Sequence, residues 1–379
     1  MQTQQLQYTQ QKWNTQNTTV GFEAEKAQLV IVFGSRELIE EQIIFDSIKS
    51  KFAKAAIVSC STAGEIINES VYDESVIVTA IQFEKAIVKS IKTSISEHSN
   101  SYETGKYLFD SLNADDLSGL FVISDGTKIN GSELVNGLNI HNHKQLPITG
   151  GLAGDAARFE KTAVGLNHVA KEGNIVAVGF YGNKVQIGHS SLGGWDEFGK
   201  ERIITKSDKN VLYEIDEAIA LDLYKEYLGP YAEELPGSAL LFPLSLRIDS
   251  ADQNLVRTIL SINEADKTMT FAGNLPEGSK VRFMKANFEK LINASATAAQ
   301  KSFNKSEKAP ELAILISCVG RKLILQERTE DEVIAAKKIF GPATCVTGFY
   351  SYGEISPFNP LSKCELHNQT MTITTFTEL

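Results

Sequence analysis

Cysteine, methionine and tryptophan are scarce in this chain of 379 residues, at 4, 4 and 2. The cysteines (Cys60, Cys318, Cys345, Cys364) are irregularly spaced and lie mostly inside apolar runs, with no C-x-x-C. That pattern excludes a disulfide framework and a structural zinc site, and is expected of buried thiols in a reducing cytoplasm. No apolar run approaches the roughly 20 residues of a membrane helix, so no membrane insertion is expected. Basic residues are in deficit, 37 Lys and Arg against 47 Asp and Glu, for a formal net charge of -10. A general affinity for nucleic acid or anionic membrane needs the opposite balance, although a local basic pocket stays open. The Gln- and Thr-rich start has neither the basic residues nor the apolar core of a secretory signal, and residues 1–19 are expected to be partly disordered.

Catalytic signatures are lacking as well. Neither Ser61 nor Ser351 has glycine at both positions a nucleophile elbow requires, and the glycine-rich turns have no Walker Lys-Ser/Thr and no Gly-x-Gly-x-x-Gly. Cys60 has no identifiable histidine partner, which leaves a Cys60- or Ser61-dependent hydrolase or transferase as a minor alternative.

What the chain does have is a corner used three times. Ser59-Cys60-Ser61-Thr62-Ala63-Gly64-Glu65-Ile66 follows one apolar run and precedes another. Gly150-Gly151-Leu152-Ala153-Gly154-Asp155 and Gly348-Phe349-Tyr350-Ser351-Tyr352-Gly353-Glu354-Ile355 share its composition: small residues, glycine, then an acid. Each follows an apolar run of a kind buried on both faces, starting at Leu29, Leu120 and Leu312, and a helix lies between. Ser35 and Ser132 are read as helix caps, and Thr329-Glu330-Asp331-Glu332 as a capping box. Ile175–Tyr181 and Val185–Ser190 read as a hairpin across Gly182-Asn183. Ile215, Ile219, Leu223 and Tyr227 fall at helical spacing between Asp208 and Gly229. A degenerate fourth copy is placed between Leu240 and Lys285. The fold class is therefore α/β: two related layered sandwich halves (αββα-like) built from repeated β-α-β-β units, 20–195 and 196–379.

These motifs, with Tyr213-Glu214-Ile215-Asp216, Tyr227-Leu228-Gly229 and Cys318-Val319-Gly320-Arg321, resemble the FIST family over about residues 20 to 377. The resemblance implies a sensory module with N-terminal and C-terminal FIST domains, binding a small amino-acid-like molecule. In that family the module is often fused to kinase, chemoreceptor or cyclic-nucleotide output domains; few residues lie beyond the two halves here, so output through a separate signalling protein such as a kinase is expected. One branch of that family is associated with haem and nitric oxide, which makes a haem-binding gas sensor the variant reading.

The candidate ligand-binding residues are Cys60, Ser61, Thr62, Gly64 and Glu65, then Gly150, Gly151, Gly154 and Asp155, then Cys318, Arg321, Tyr350, Ser351, Tyr352, Gly353 and Glu354. Backbone N–H groups beside Gly64, Gly154 and Gly353 suit an anion, and the trailing acids suit an ammonium group. The alternative is purely structural, with glycine forming the corner and the acid capping it. Arg321 is a bidentate anion clamp or a surface ion pair, and Tyr350 and Tyr352 are pocket wall or core. Of six histidines, His189 is the haem candidate; no other cofactor and no catalytic residue is expected.

Overall fold

The pleat of a β-strand sends alternate side chains to opposite faces, and here both faces are apolar. Leu29, Ile31 and Phe33 enter one core while Val30 and Val32 enter another. The structure, a computed structural model, describes residues 1–235, 237–247, 254–303 and 308–379. Its class is mixed α/β, as the sequence predicts. The chain runs through β1 (Gln2–Thr9), β2 (Lys12–Thr18), β3 (Leu29–Gly34), α1 (Arg36–Ile39), α2 (Gln42–Lys51), β4 (Ala56–Ser61), β5 (Glu65–Ile67), β6 (Ser70–Tyr72) and β7 (Val76–Gln82). Next come β8 (Ile87–Ser94), α3 (Ser101–Leu112), β9 (Leu117–Ser124), α4 (Gly131–Asn139), β10 (Ile148–Leu152), β11 (Val164–Leu166) and β12 (Asn174–Tyr181). After β13 (Val185–Leu192) an inserted run holds β14 (Asp196–Asp208), β15 (Val211–Ile215), β16 (Ala218–Ile219), α5 (Ala220–Leu228), β17 (Leu244–Arg247), β18 (Leu255–Arg257), β19 (Ile259–Asn263), β20 (Thr268–Phe271) and β21 (Lys280–Lys285). The last part is α6 (Phe288–Lys301), β22 (Leu312–Cys318), α7 (Val319–Leu325), α8 (Thr329–Phe340), β23 (Cys345–Ser351), β24 (Gly353–Pro357), β25 (Cys364–His367) and β26 (Met371–Glu378).

One pairing pattern occurs three times. In the first sheet β3 lies parallel to β4 and antiparallel to β7, with β1 beyond β7. In the second the same places are taken by β9, β10, β12 and β8, and in the third by β22, β23, β26 and β13. Each sheet then gains a strand from another: β11 joins β4, β24 joins β10, and β5 joins β23. Too few residues follow β4 and β23 for the dozen-residue crossover that another parallel neighbour would need, so the chain passes to the adjoining sheet. Inner faces of all three sheets meet in one core of Phe33, Phe121, Ile123, Ile314, Ile316 and Phe349. Their outer faces are covered by helices: Ile44 and Ile48 of α2, Leu134 and Leu138 of α4, Val333 and Ala336 of α8.

Several local expectations are overturned. The polar start is not disordered: β1 pairs with β7 from Gln2 to Tyr8, and Gln5 donates to the Val346 carbonyl at 2.9 Å. Without it the edge of β7 would leave a row of backbone groups unpaired. β12 and β13 form no hairpin, because β9 and β8 occupy both edges of β12 and β13 joins β26. Ile215 ends a strand while α5 starts only at Ala220 and stops at Gly229, whose φ is 55°. Asn130, not Ser132, caps α4, accepting the Glu133 N–H, and Ser35 makes no side-chain cap. No fourth β-α-β-β copy exists among the described residues of Leu240–Lys285, where strands pair antiparallel around Leu246, Phe271 and Phe283; residues 248–253 lie outside the description.

Glycine is indispensable where β10 and β23 pass their parallel neighbours. A Cβ at Gly150 would lie 1.8 Å from the Val122 carbonyl oxygen, and one at Gly348 would lie 1.9 Å from that of Leu315. Gly348→Ala is expected to destabilise by about 3 kcal/mol or more, or to prevent folding. Gly237→Ala, where a Cβ meets nothing within 4 Å, should stay within about 0.5 kcal/mol of the parent in urea denaturation.

Candidate functional site

The three corners meet. Ala63 N–H donates to the Tyr350 carbonyl and Tyr350 N–H to that of Gly64, both at 2.8 Å. Gly154 N–H donates to Ser61 O (3.0 Å), Ala156 N–H to Thr62 O (3.1 Å) and Tyr352 N–H to Leu152 O (3.2 Å). The corners thus form a ring of backbone bonds where the three sheets come together.

Two of the acids have matching cages. Glu65 accepts from the hydroxyl three residues earlier, Thr62 (2.5 Å), and from Ser75 (2.8 Å), the residue before β7. Glu354 accepts from Ser351 (2.8 Å) and from Thr370 (2.8 Å), the residue before β26. Burial penalises the charged form and raises Glu65 to about 7 and Glu354 to about 8, against the pull of those hydroxyls. Asp155 differs: it pairs with Arg36 at 2.9 Å and with Arg158, and accepts the Lys161 N–H.

Arg321 is no anion clamp. It is fully buried, gives Nε and Nη2 to Glu332 Oε2 (2.9 and 2.7 Å), and donates to the Leu291 carbonyl (2.8 Å). The other Glu332 oxygen accepts from Ser317 and Tyr350, both at 2.8 Å. Glu332, read as part of a capping box, is therefore a buried counter-ion, and α8 begins without a side-chain cap. Its signal in the sequence is position: 332, 336 and 340 share one helix face, and Ala336 and Phe340 are core.

The expected anion cradle is absent. Gly64 N–H donates to Thr62 Oγ1, Gly154 N–H to Ser61 O, and Gly353 lies in the ladder opposite Leu152. Gly150 and Gly151 are inside β10 rather than in a turn. Cys60 packs in the central core, where burial pushes its thiol well up, and Ser61 Oγ accepts the Ala163 N–H. Neither hydrogen-bonds an imidazole among the described residues. His189 lies in the β13–β26 ladder with its ring on the Pro357 carbonyl, and burial lowers its pKa. Among the described residues no group of three or more His, Cys, Asp or Glu is placed to hold a metal.

Two clefts flank the ring. The first, about 480 Å³, is lined by Thr62, Gly64 and Glu65 with Asp73, Glu74, Arg158 and Lys322. Lys322 Nζ donates to the Ala63 carbonyl (2.9 Å) and pairs with Asp73; Arg158 pairs with Glu37 at 2.6 Å. Gly64, at φ 137°, leaves the space into which Lys322 reaches: a Cβ would stand 2.6 Å from Nζ. The second, about 410 Å³, holds Cys318 and Tyr352 opposite Thr258 and Leu260 of the inserted run. Between them runs 156–159, fastened to Tyr352 by the Phe159 N–H (3.0 Å). The remaining candidates, Cys60, Ser61, Gly150, Gly151, Gly154, Asp155, Arg321, Tyr350, Ser351, Gly353 and Glu354, build the ring and its supports. Asp73, Arg158, Lys322 and Thr258 were missed, since each reaches its cleft from a segment that no corner motif marks.

A family model for the FIST N domain matches residues 28–218, and one for the FIST C domain matches 220–357. No curated protein matches the chain. The matched segments meet at residue 219, inside the inserted run, rather than after Trp195.

The twin carboxyls give stability a pH dependence. Both hold protons in the folded state that the unfolded chain releases near pH 4.5, so their contribution is complete below that pH. It is lost as pH rises through about 7 for Glu65 and about 8 for Glu354. Urea midpoints are expected to fall from pH 5 to 9, each carboxyl giving a slope of at most about 1.4 kcal/mol per pH unit. Glu65→Gln and Glu354→Gln, which mimic the protonated forms, should each flatten the profile.

Proposed function

The chain belongs to the FIST family, whose domains are sensory modules of signal transduction, and we propose that it takes a small zwitterionic, amino-acid-like ligand in the cleft between Arg158 and Lys322. The observation that carries this is the pairing of both signs of charge within one cavity of about 480 Å³, inside the ordinary range for small-molecule sites. A ligand carboxylate exchanges with Glu37 at the Arg158 fork, and an ammonium group takes the Asp73 and Glu74 wall. Ser35 and Glu37 follow β3, Ala156 and Arg158 follow β10, and Lys322 lies on α7 after β22. A ligand bridging these walls draws the ends of three sheets together, which supplies the second state that a signal requires.

The signal passes to a separate protein, with a kinase as the expected class. The family is a sensory one and not a known enzyme family, and among the described residues neither Cys60 nor Ser61 hydrogen-bonds an imidazole. The haem reading gains nothing from His189, whose ring is turned to the Pro357 carbonyl and lines neither cleft. No described helix is long and apolar enough to cross a membrane.

A thermal-shift series with the twenty amino acids tests the proposal, because a ligand that prefers the native state raises Tm. A stabilising amino acid is expected, with the rise abolished by Arg158→Ala and by Lys322→Ala. Both side chains are partly exposed, so the unliganded variants should stay within about 1 kcal/mol of the parent. No response from any amino acid, or a response that survives in both variants, would overturn it.

A further inference from the structure

The second cavity has different chemistry. Its walls, among them Phe159, Leu240, Ile259, Leu260, Cys318 and Tyr352, include no charged side chain among the described residues. A charged ligand would lose its hydration there without gaining a counter-charge, so the occupant is neutral. One polar atom stands out: among the described residues Thr258 Oγ1 has no hydrogen-bond partner although the residue is 5 % exposed, and Thr258 lines the groove. A buried hydroxyl left unpaired destabilises the empty protein, and a ligand polar group on this side satisfies it.

The aromatic wall defines the rest of the ligand. Phe159 and Tyr352 stack with centroids 4.5 Å apart and planes 21° from parallel. Tyr352 is held by its bond from the Phe159 N–H and by its place in the ring of corners. Phe159 is 45 % exposed and sits at φ 57°, a conformation that bulky residues seldom adopt and that local strain marks. It lines both this groove and an adjoining chamber of about 390 Å³, as does Tyr352, so the stacked pair borders both spaces.

We infer that this groove is a second binding site, for a small neutral aromatic molecule bearing one hydrogen-bonding substituent, its ring against Tyr352 and Phe159 and its polar group on Thr258. Offset stacking favours a flat ring over a saturated one at such a wall. The site is separate from the zwitterion cleft and does not depend on it.

Phenol is the probe, with cyclohexanol, benzene and benzoate as controls, read by saturation-transfer NMR and thermal shift on the full chain. Phenol is expected to bind; cyclohexanol should be weaker by about tenfold, and benzoate should not bind. Thr258→Val keeps the shape and removes the orphan hydroxyl, so it should fold at least as well while weakening phenol by about fivefold to tenfold and leaving benzene unchanged. Lys322→Ala should not alter phenol binding. Absence of phenol binding, or phenol binding that is unchanged in both Thr258→Val and the groove-filling Ala272→Phe, would overturn the inference.

Discussion

Each of the three sheets is completed by a strand that belongs, in the chain, to another. β5, β24 and β11 leave the strands they follow and pair with β23, β10 and β4, so no sheet is whole without the next. The backbone bonds among Ala63, Tyr350, Gly154, Ser61, Tyr352 and Leu152 are the closing points of that exchange. Because the linked groups are peptide units and not side chains, the geometry tolerates few substitutions: Gly150 and Gly348 lie against neighbouring carbonyls with no room for a methyl group.

A second constraint ties the helices and the inserted run to this frame. The Arg321 guanidinium, wholly buried, reaches Glu332 of α8, the Leu291 carbonyl of α6 and the Gly193 carbonyl just before the insertion. A buried pair is weak evidence of stability, but removing one partner strands the other in a dry interior. Its structural effect is registry: a single planar fork joins α7 to three other segments.

The three corners are not alike, and both clefts border the one that differs. Glu65 and Glu354 are sealed among hydroxyls with their carboxyls raised to about 7 and about 8 by burial, whereas Asp155 is paired with Arg36 and Arg158. The connection after β10 is also the long one, residues 153–163, against 62–64 after β4 and Tyr352 alone after β23. Its extra length carries Arg158 into one cleft and Phe159 into the other. A four-residue strap thus borders both cavities.

The sequence by itself makes the buried strands legible, because continuous apolar runs such as Leu29–Phe33 and Leu312–Cys318 bounded by turns have few other uses. It also marked the corners as special, since hydroxyl, glycine and acid recur there in order, and it excluded membrane helices and disulfides by composition. Tertiary structure alone decided which sheet each corner strand enters, because strand partners are chosen by edges far away in the chain. That is why β12 and β13 read as a hairpin and are not one. It also decided what the acids and Arg321 do: the charge state of a carboxyl and the freedom of a guanidinium depend on what packs around them, and packing is not written in any local stretch.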